Sequence, residues 1–275
     1  MALKAIILGG GDLASGVASR LFRSDIPVII TELPEPIMVR RLVSFGEAMY
    51  RGEFTVEGIT AQRTEQISCL PGILEQGKIP VIHVSADNLL ANLEPESPVV
   101  VIDARMRKKP PEFDRNLAPL VVGLGPGFVA GENCHAVIET QRGHMLGRVL
   151  WQGEALNDTG IPDRVNQFDS ERVLRSPVDG FLEAFAEIGD YLQPGQLVAR
   201  VGEDVVFAPF RGVLRGMLHA GLHVHKNMKI GDVDPRNDPR YVTLVSDKSL
   251  AIGGAVLEAI LSRSELRPSL WKQAD

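Results

Sequence analysis

Two glycine-rich turns follow apolar runs in this chain, and turns of this kind can bind the phosphate of a nucleotide. The first, Gly9-Gly10-Gly11-Asp12, follows the apolar residues 4–8 and precedes apolar positions at helical spacing. It fits the G-x-G-x-x-A form of the dinucleotide fingerprint, in which glycines admit a phosphate to the helix amides. The second, Gly123-Leu124-Gly125-Pro126-Gly127, also follows an apolar run. We expect the amides of both turns to converge on one anionic ligand.

Charged residues at the ends of other apolar runs extend this predicted site. Glu32 ends the run after the first turn, about 20 residues on, where a ribose-binding carboxylate is expected. Asp103 ends the near-continuous apolar run 98–102, and Arg40 can neutralise a phosphate. The predicted cofactor-binding residues are Gly9, Gly10, Gly11, Asp12, Glu32, Arg40, Asp103, Gly123, Gly125, Gly127 and Arg142.

Residues 139–144, at the end of a further predicted strand, combine groups that could take part in catalysis. Glu139 supplies a carboxylate, Arg142 a guanidinium for phosphate, and His144 an imidazole that exchanges protons near neutral pH. These three residues are the catalytic candidates. The alternative is a hydrogen-bond network between domains without a ligand, because buried polar groups need partners in any case.

The sequence contains weaker metal and thiol candidates. Asp232 and Asp234 could hold Mg²⁺, although the same spacing lets a turn cap its own amides. The histidines at 219, 223 and 225 are predicted to form a surface cluster, because zinc needs three or four converging ligands. Cys134 adjoins His135, but successive strand residues face opposite ways, which favours a buried structural thiol. We predict no metal site.

Composition narrows the classes of protein that this chain can belong to. Its 275 residues are 44% hydrophobic and 23% charged, with a net charge of −6 that argues against nucleic acid as a partner. No stretch approaches the roughly 20 apolar residues of a membrane span. Two cysteines give no disulfide framework, so we expect a cytoplasmic protein. The apolar content permits a homo-oligomer without requiring one.

The order of predicted elements indicates two kinds of domain. Alternating strands and helices over residues 1–165 predict an α/β fold, a Rossmann-like doubly wound parallel sheet. Residues 176–182 recur 32 positions later as residues 208–214, which predicts a two-fold all-β domain over 166–245. Apolar residues at helical spacing within 246–275 predict a helix that packs back on the first domain.

The 32-residue repeat resembles a half-motif of the biotinyl and lipoyl carrier domains. That resemblance implies a small barrel-sandwich hybrid built from two copies. Carriers hold a lysine in the hairpin between the copies, whereas residues 201–205 of this chain are Val-Gly-Glu-Asp-Val. No covalently attached biotin or lipoate is therefore expected, and the module is interpreted as a docking or lid domain.

Longer polar blocks cover nearly the whole chain and are more specific than a glycine turn. They are residues 9–16, 31–33, 39–41, 56–58, 123–128, 135–144, 146–149, 229–236, 246–248 and 253–259. Together they resemble the YqeB-type accessory family of selenium-dependent molybdenum hydroxylases. The N-terminal part is distantly similar to the Rossmann region of xanthine dehydrogenase accessory proteins. The resemblance implies a maturation factor whose partners are a molybdenum hydroxylase and a small phosphate-containing ligand, such as a nucleotide or a molybdopterin-type cofactor.

Two other functions remain open at this stage. The first is an NAD(P)-dependent oxidoreductase, for which NAD would be the cofactor because Glu32 favours an unphosphorylated ribose. Against it, the chain has three tyrosines and no Tyr-x-x-x-Lys pair. The second is a non-catalytic scaffold whose Rossmann site is empty. The sequence leaves open whether the protein is an enzyme.

Overall fold

A computed structural model of the chain describes residues 3–93, 98–158 and 170–270. The chain divides into two compact units. Unit 1 contains Met1–Pro36, Ser44–Asp158 and Val245–Asp275, and unit 2 contains Ile37–Val43 and Thr159–Leu244. The boundary predicted between residues 165 and 166 lies outside the described residues.

Unit 1 contains a large mixed β-sheet and a small two-stranded one. The strands of the unit are β1 (Lys4–Leu8), β2 (Val28–Thr31), β3 (Glu53–Val56), β4 (Ile59–Thr64), β5 (Ile79–Ile82), β6 (Val99–Asp103), β7 (Leu120–Leu124), β8 (Val129–Ala130), β9 (Ala136–Ile138), β10 (Val149–Leu150) and β11 (Gly153–Glu154). Within the described residues the large sheet has the order β10-β9-β7-β6-β1-β2-β5-β4-β3, and β8 pairs with β11. β1 lies between β2 and β6 and runs parallel to both, so the apolar runs of these strands form the buried centre.

The prediction of a Rossmann-like doubly wound parallel sheet is wrong. β3 pairs antiparallel with β4, and β10 pairs antiparallel with β9, so the sheet is antiparallel at both edges. Connection length is the physical reason at the first edge. The turn Glu57-Gly58 joins β3 to β4 with φ angles of 46° and 83°, and a two-residue turn joins only antiparallel strands.

The helices of unit 1 are α1 (Asp12–Phe22), α2 (Ala48–Arg51), α3 (Leu70–Glu75), α4 (Ala86–Ala91) and α5 (Asp247–Ser262). α5 begins after Ser246, whose side chain accepts a hydrogen bond from the Ser249 amide, and it packs closely on α1. A Cβ atom added to Gly253 would lie 2.5 Å from the carbonyl oxygen of Gly16, so the two backbones nearly touch. No helix in the described ranges has the length and apolar character needed to cross a membrane.

Unit 2 consists of short antiparallel strands around its own apolar core. They are β12 (Val173–Arg175), β13 (Gly180–Ala184), β14 (Tyr191–Leu192), β15 (Leu197–Val201), β16 (Asp204–Phe207), β17 (Gly212–Met217), β18 (His223–Val224) and β19 (Lys229–Asp234). The described strands form two four-stranded sheets, β12-β19-β17-β14 and β16-β15-β13-β18. Leu182, Leu214 and Ile230 are among the buried residues that pack between the strands.

The expectation of a barrel-sandwich hybrid, which the resemblance to carrier domains implied, is also wrong. Each described strand of unit 2 belongs to one of two separately hydrogen-bonded sheets, and β17 shifts register against β19 between Leu214 and Gly216. A sequence repeat predicts where strands begin. It does not predict which strands pair, because pairing depends on contacts between residues that are distant in the chain.

Candidate functional site

A cavity of about 300 Å³ lies at the carboxyl ends of β1, β2 and β5 in unit 1. Its walls are formed by Leu8, Thr31, Val84, Ser85, Ala86, Asp87, Arg105, Glu112 and Phe113. This edge is where parallel strands place ligands, because the loops that follow the strands diverge there and leave a crevice. The mixture of apolar walls with a few polar groups is typical of small-molecule sites.

Arg105 presents a fixed guanidinium group to this cavity. Asp103, at the end of β6 and 2% exposed, accepts hydrogen bonds from Nε and Nη2 of Arg105 at 3.0 and 2.5 Å. Burial opposes the charged form of Arg105, but the pairing with Asp103 outweighs it and raises the pKa of the guanidinium. Among the described residues, Nη1 of Arg105 has no hydrogen-bond partner. That nitrogen can therefore donate to an anionic ligand.

The loop after Arg105 adds a second arginine and an acid. Glu112 accepts hydrogen bonds from both terminal nitrogens of Arg107, and Glu112 Oε2 lies 3.1 Å from Nη2 of Arg105. The hydrogen bonds from Arg107 are the main reason why the pKa of Glu112 falls to about 2. Sequence reasoning missed Arg107, Glu112 and Phe113. The signal was the basic run 105–109, which follows a buried strand in an acidic chain.

The first glycine turn is packed against its own chain. The Gly10 amide donates to Oε2 of Glu32 at 2.5 Å, and the Leu33 amide donates to Oε1 at 2.7 Å. The Gly10 carbonyl accepts from the Gly46 amide at 2.9 Å, and Gly9 lies against the Arg105 side chain. Burial raises the pKa of Glu32 despite the two amide donors. The structure thus joins two predicted ligand contacts, Gly10 and Glu32, to each other.

Gly11 and Asp12 lie at the start of α1. A Cβ atom added to Gly11 would meet nothing within 4 Å, so the turn is open at this point. The Asp12 carboxylate accepts a hydrogen bond from the Ser249 hydroxyl at 2.7 Å, which ties the start of α1 to α5. Of the three glycines in the first turn, Gly11 has the most open surroundings.

The second glycine turn is likewise in contact with other parts of unit 1. Gly123 lies under the Phe128 ring, Gly125 beside Thr140, and Gly127 against the backbone of Lys109. The Gly125 amide donates to the carbonyl oxygen of Ile138 at 2.9 Å. This amide, which we expected to reach a ligand, is used within the fold.

Glu139 and Arg142 each have protein partners, and His144 is exposed. The Glu139 carboxylate, 1% exposed, accepts from the amides of Gln141 at 2.7 Å and Leu156 at 2.8 Å. Arg142 forms a bidentate ion pair with Asp247, at 2.6 and 2.7 Å. His144 lies at the surface. The carboxylate therefore shapes its loop, and the arginine connects this loop to the start of α5.

The remaining candidates lie in unit 2. Arg40 is 8% exposed and donates from Nη2 to the carbonyl oxygens of Tyr241 and Leu244. Asp232 is paired with Arg172 at 2.6 Å. Asp234 is paired with Arg236 at 2.5 and 2.9 Å, and Arg215 lies within 4 Å of both acids. The carboxylate oxygens that would bind a cation are therefore paired with arginine side chains. No group of His, Cys, Asp and Glu residues in the described part of the chain could hold a metal ion.

The two cysteines lie in contrasting surroundings. Cys134 is buried in the core, and burial raises the pKa of its thiol to about 12, whereas Cys69 is exposed. We expect iodoacetamide at pH 8 to alkylate Cys69 and leave Cys134 unmodified, because the thiolate is the reactive form. Mass spectrometry of tryptic peptides checks this, with urea-unfolded protein as the control in which both react. Equal labelling in the folded protein would contradict the burial of Cys134.

No protein-family model matches the chain. Among solved structures, it is similar to the product-bound ectoine utilization protein EutE (DoeB) from Ruegeria pomeroyi, at 13% identity over 84% of this chain and 57% of that one, with a TM-score of 0.23. An aspartoacylase family protein from Mesorhizobium loti is 16% identical over 85% of each chain, with a TM-score of 0.25. These scores are too low to support an argument about fold or chemistry.

A curated sequence gives a much stronger match. The chain is 42% identical over 256 residues to the "Uncharacterized protein YqeB" of Escherichia coli (strain K12). The match takes in 93% of this chain and 47% of that protein, so the chain spans about half the length of this relative. Over nearly all of its own length, the chain is therefore similar to part of YqeB.

Proposed function

We propose that this chain is an accessory protein for the maturation of a selenium-dependent molybdenum hydroxylase, and that unit 1 binds a nucleotide- or pterin-phosphate-type cofactor. The ligand part rests on the cavity in unit 1, which Arg105 lines and at which Asp103 holds the Arg105 guanidinium. A volume of about 300 Å³ lies at the lower end of the usual range for small-molecule pockets. The proposed protein partner is the hydroxylase itself, and the proposed role of the chain is to bind the cofactor for it.

Recognition of the ligand would rest on Arg105. Asp103 holds one edge of its guanidinium, so the other edge is oriented before the ligand arrives and little side-chain entropy is lost on binding. Leu8, Val84 and Phe113 provide apolar contact for a flat ring. We assign no catalytic residue, because Glu139 and Arg142 are paired within the protein.

Replacing Arg105 by alanine is expected to weaken binding of a phosphate-bearing ligand about 10- to 100-fold, since a hydrogen bond to a charged group contributes about 1.5–3 kcal/mol. Isothermal titration calorimetry with AMP, GMP, NAD⁺ and a pterin monophosphate measures this. Arg115→Ala removes the same charge from unit 1 at a residue that does not line the cavity. Equal affinities of the two variants, or no binding by the unmodified protein, would contradict the proposal.

One alternative has an observation in its favour. The packing of both glycine turns against their own chain suits a non-catalytic scaffold that holds no nucleotide. The same titration separates the two functions, because a scaffold would bind none of the four compounds. For the oxidoreductase, Glu32 would have to release two amides before it could accept from a ribose.

A further inference from the structure

We infer that Glu112 occupies the place of the ligand's phosphate in unit 1, and that a phosphate group binds Arg105 and Arg107 by replacing this carboxylate. The inference rests on the proposed function, since it supposes that the cavity receives a phosphate-bearing molecule. It adds Arg107 to the binding residues and gives Glu112 the role of an internal competitor.

The side chains of Arg105, Arg107 and Glu112 form one charged cluster in unit 1. The Glu112 carboxylate contacts the guanidinium groups of both arginines, and Arg105 and Glu112 line the same cavity. The Glu112 side chain is 62% exposed, whereas those of Arg105 and Arg107 are 29% and 26% exposed. The anion is thus the most accessible member of the cluster, and the two cations lie deeper. An incoming anion can reach the position of the carboxylate from solvent.

A phosphate group can make more contacts with this cluster than the Glu112 carboxylate can. A carboxylate has one negative charge and two oxygens, whereas a phosphate monoester has a charge of about −1.5 to −2 and three terminal oxygens. Two phosphate oxygens can accept from Arg107 as the carboxylate does now, and the third can accept from Nη1 of Arg105. Phosphate therefore gains a contact that Glu112 does not make. Without ligand, the negative charge of Glu112 offsets the repulsion between the two guanidinium groups.

The Glu112 carboxylate is charged at the neutral pH of the binding experiments. Because the pKa of Glu112 is about 2, the carboxylate stays charged at neutral pH and competes there at full strength. Asp103, the other acid on Arg105, is buried and bonded through both oxygens, so it is not the group that phosphate would replace.

The test uses Glu112→Gln, which keeps the size of the side chain and removes its charge. We expect this change to tighten the binding of GMP and of inorganic pyrophosphate about tenfold, and Arg107→Ala to weaken both about tenfold. Glu132→Gln is the matched control, since it makes the same change in net charge at an exposed acid of unit 1 that does not line the cavity. Calorimetry measures the affinities, and thermal unfolding confirms that each variant is folded.

The outcomes separate the two proposals. Tighter binding by Glu112→Gln than by the unmodified protein, with no such change in Glu132→Gln, supports the exchange. If the unmodified protein binds GMP but Glu112→Gln binds it equally or more weakly, the exchange is wrong and the proposed function stands. If neither protein binds any phosphate compound, both proposals fall.

Discussion

Replacing Gly10 by alanine is expected to destabilise the protein by about 3 kcal/mol, the upper part of the range for overpacked sites. A Cβ atom at Gly10 would lie 2.8 Å from both the Cα and the nitrogen of Gly46, and a backbone cannot move aside as a flexible side chain can. Moving Gly46 away would also break its hydrogen bond to the Gly10 carbonyl and disturb the bond from the Gly10 amide to Glu32.

The neighbouring glycine provides the control for this change. A Cβ atom at Gly11 would meet nothing within 4 Å, and its φ of −73° suits any residue, so Gly11→Ala should change stability by less than about 1 kcal/mol. Urea unfolding of the ligand-free variants compares the two. If Gly10→Ala is as stable as the unmodified protein, the turn does not need glycine for contact with Gly46, and close approach of a ligand becomes the better reason.

The second large effect is expected where α1 meets α5. A Cβ atom at Gly253 would lie 2.5 Å from the Gly16 carbonyl oxygen and 2.9 Å from Cγ of Arg20. Gly253→Ala should therefore force the helices apart and cost about 3 kcal/mol. Gly254, the next residue of the same helix, has nothing within 4 Å of its added Cβ. Gly254→Ala should instead stabilise the protein by about 0.5–1 kcal/mol, the difference in helix propensity.

The two substitutions, at adjacent residues of one helix, are expected to change stability in opposite directions. Both substitutions add one methyl group and raise helix propensity equally, so only the packing on α1 distinguishes them. Thermal or urea unfolding of the two variants measures the difference. Stabilisation by both substitutions would show that the helices do not approach as closely as described.

Buried apolar runs could be located from the sequence, because burial on both faces leaves a continuous apolar pattern. β1 and β6 form from two such runs. The helix α5 could be located from a different pattern, apolar residues at helical spacing. The prediction of parallel strands is wrong at the two sheet edges, where β3 pairs antiparallel with β4 and β10 with β9. Hydrophobicity alone does not distinguish a short turn, such as Glu57-Gly58, from the start of a crossover.

The predicted site shows a different limit. An acid about 20 residues after a glycine turn can accept from a ribose or from the turn itself, and the spacing is the same in both cases. In the structure, Glu32 accepts from the Gly10 amide. Asp103 was selected as a strand end, but its function in holding Arg105 depends on the path of the following loop. The contact of Glu112 with Arg107 depends on that path as well.

The proposed function requires a phosphate-bearing ligand to bind unit 1 at Arg105. The most direct measurement is a crystal structure of the chain grown with GMP, in which the electron-dense phosphate can be located. We expect the phosphate within about 3 Å of Nη1 of Arg105, an ordinary hydrogen-bond distance. A phosphate bound to the amides of the glycine turns, or no GMP in the cavity, would contradict it.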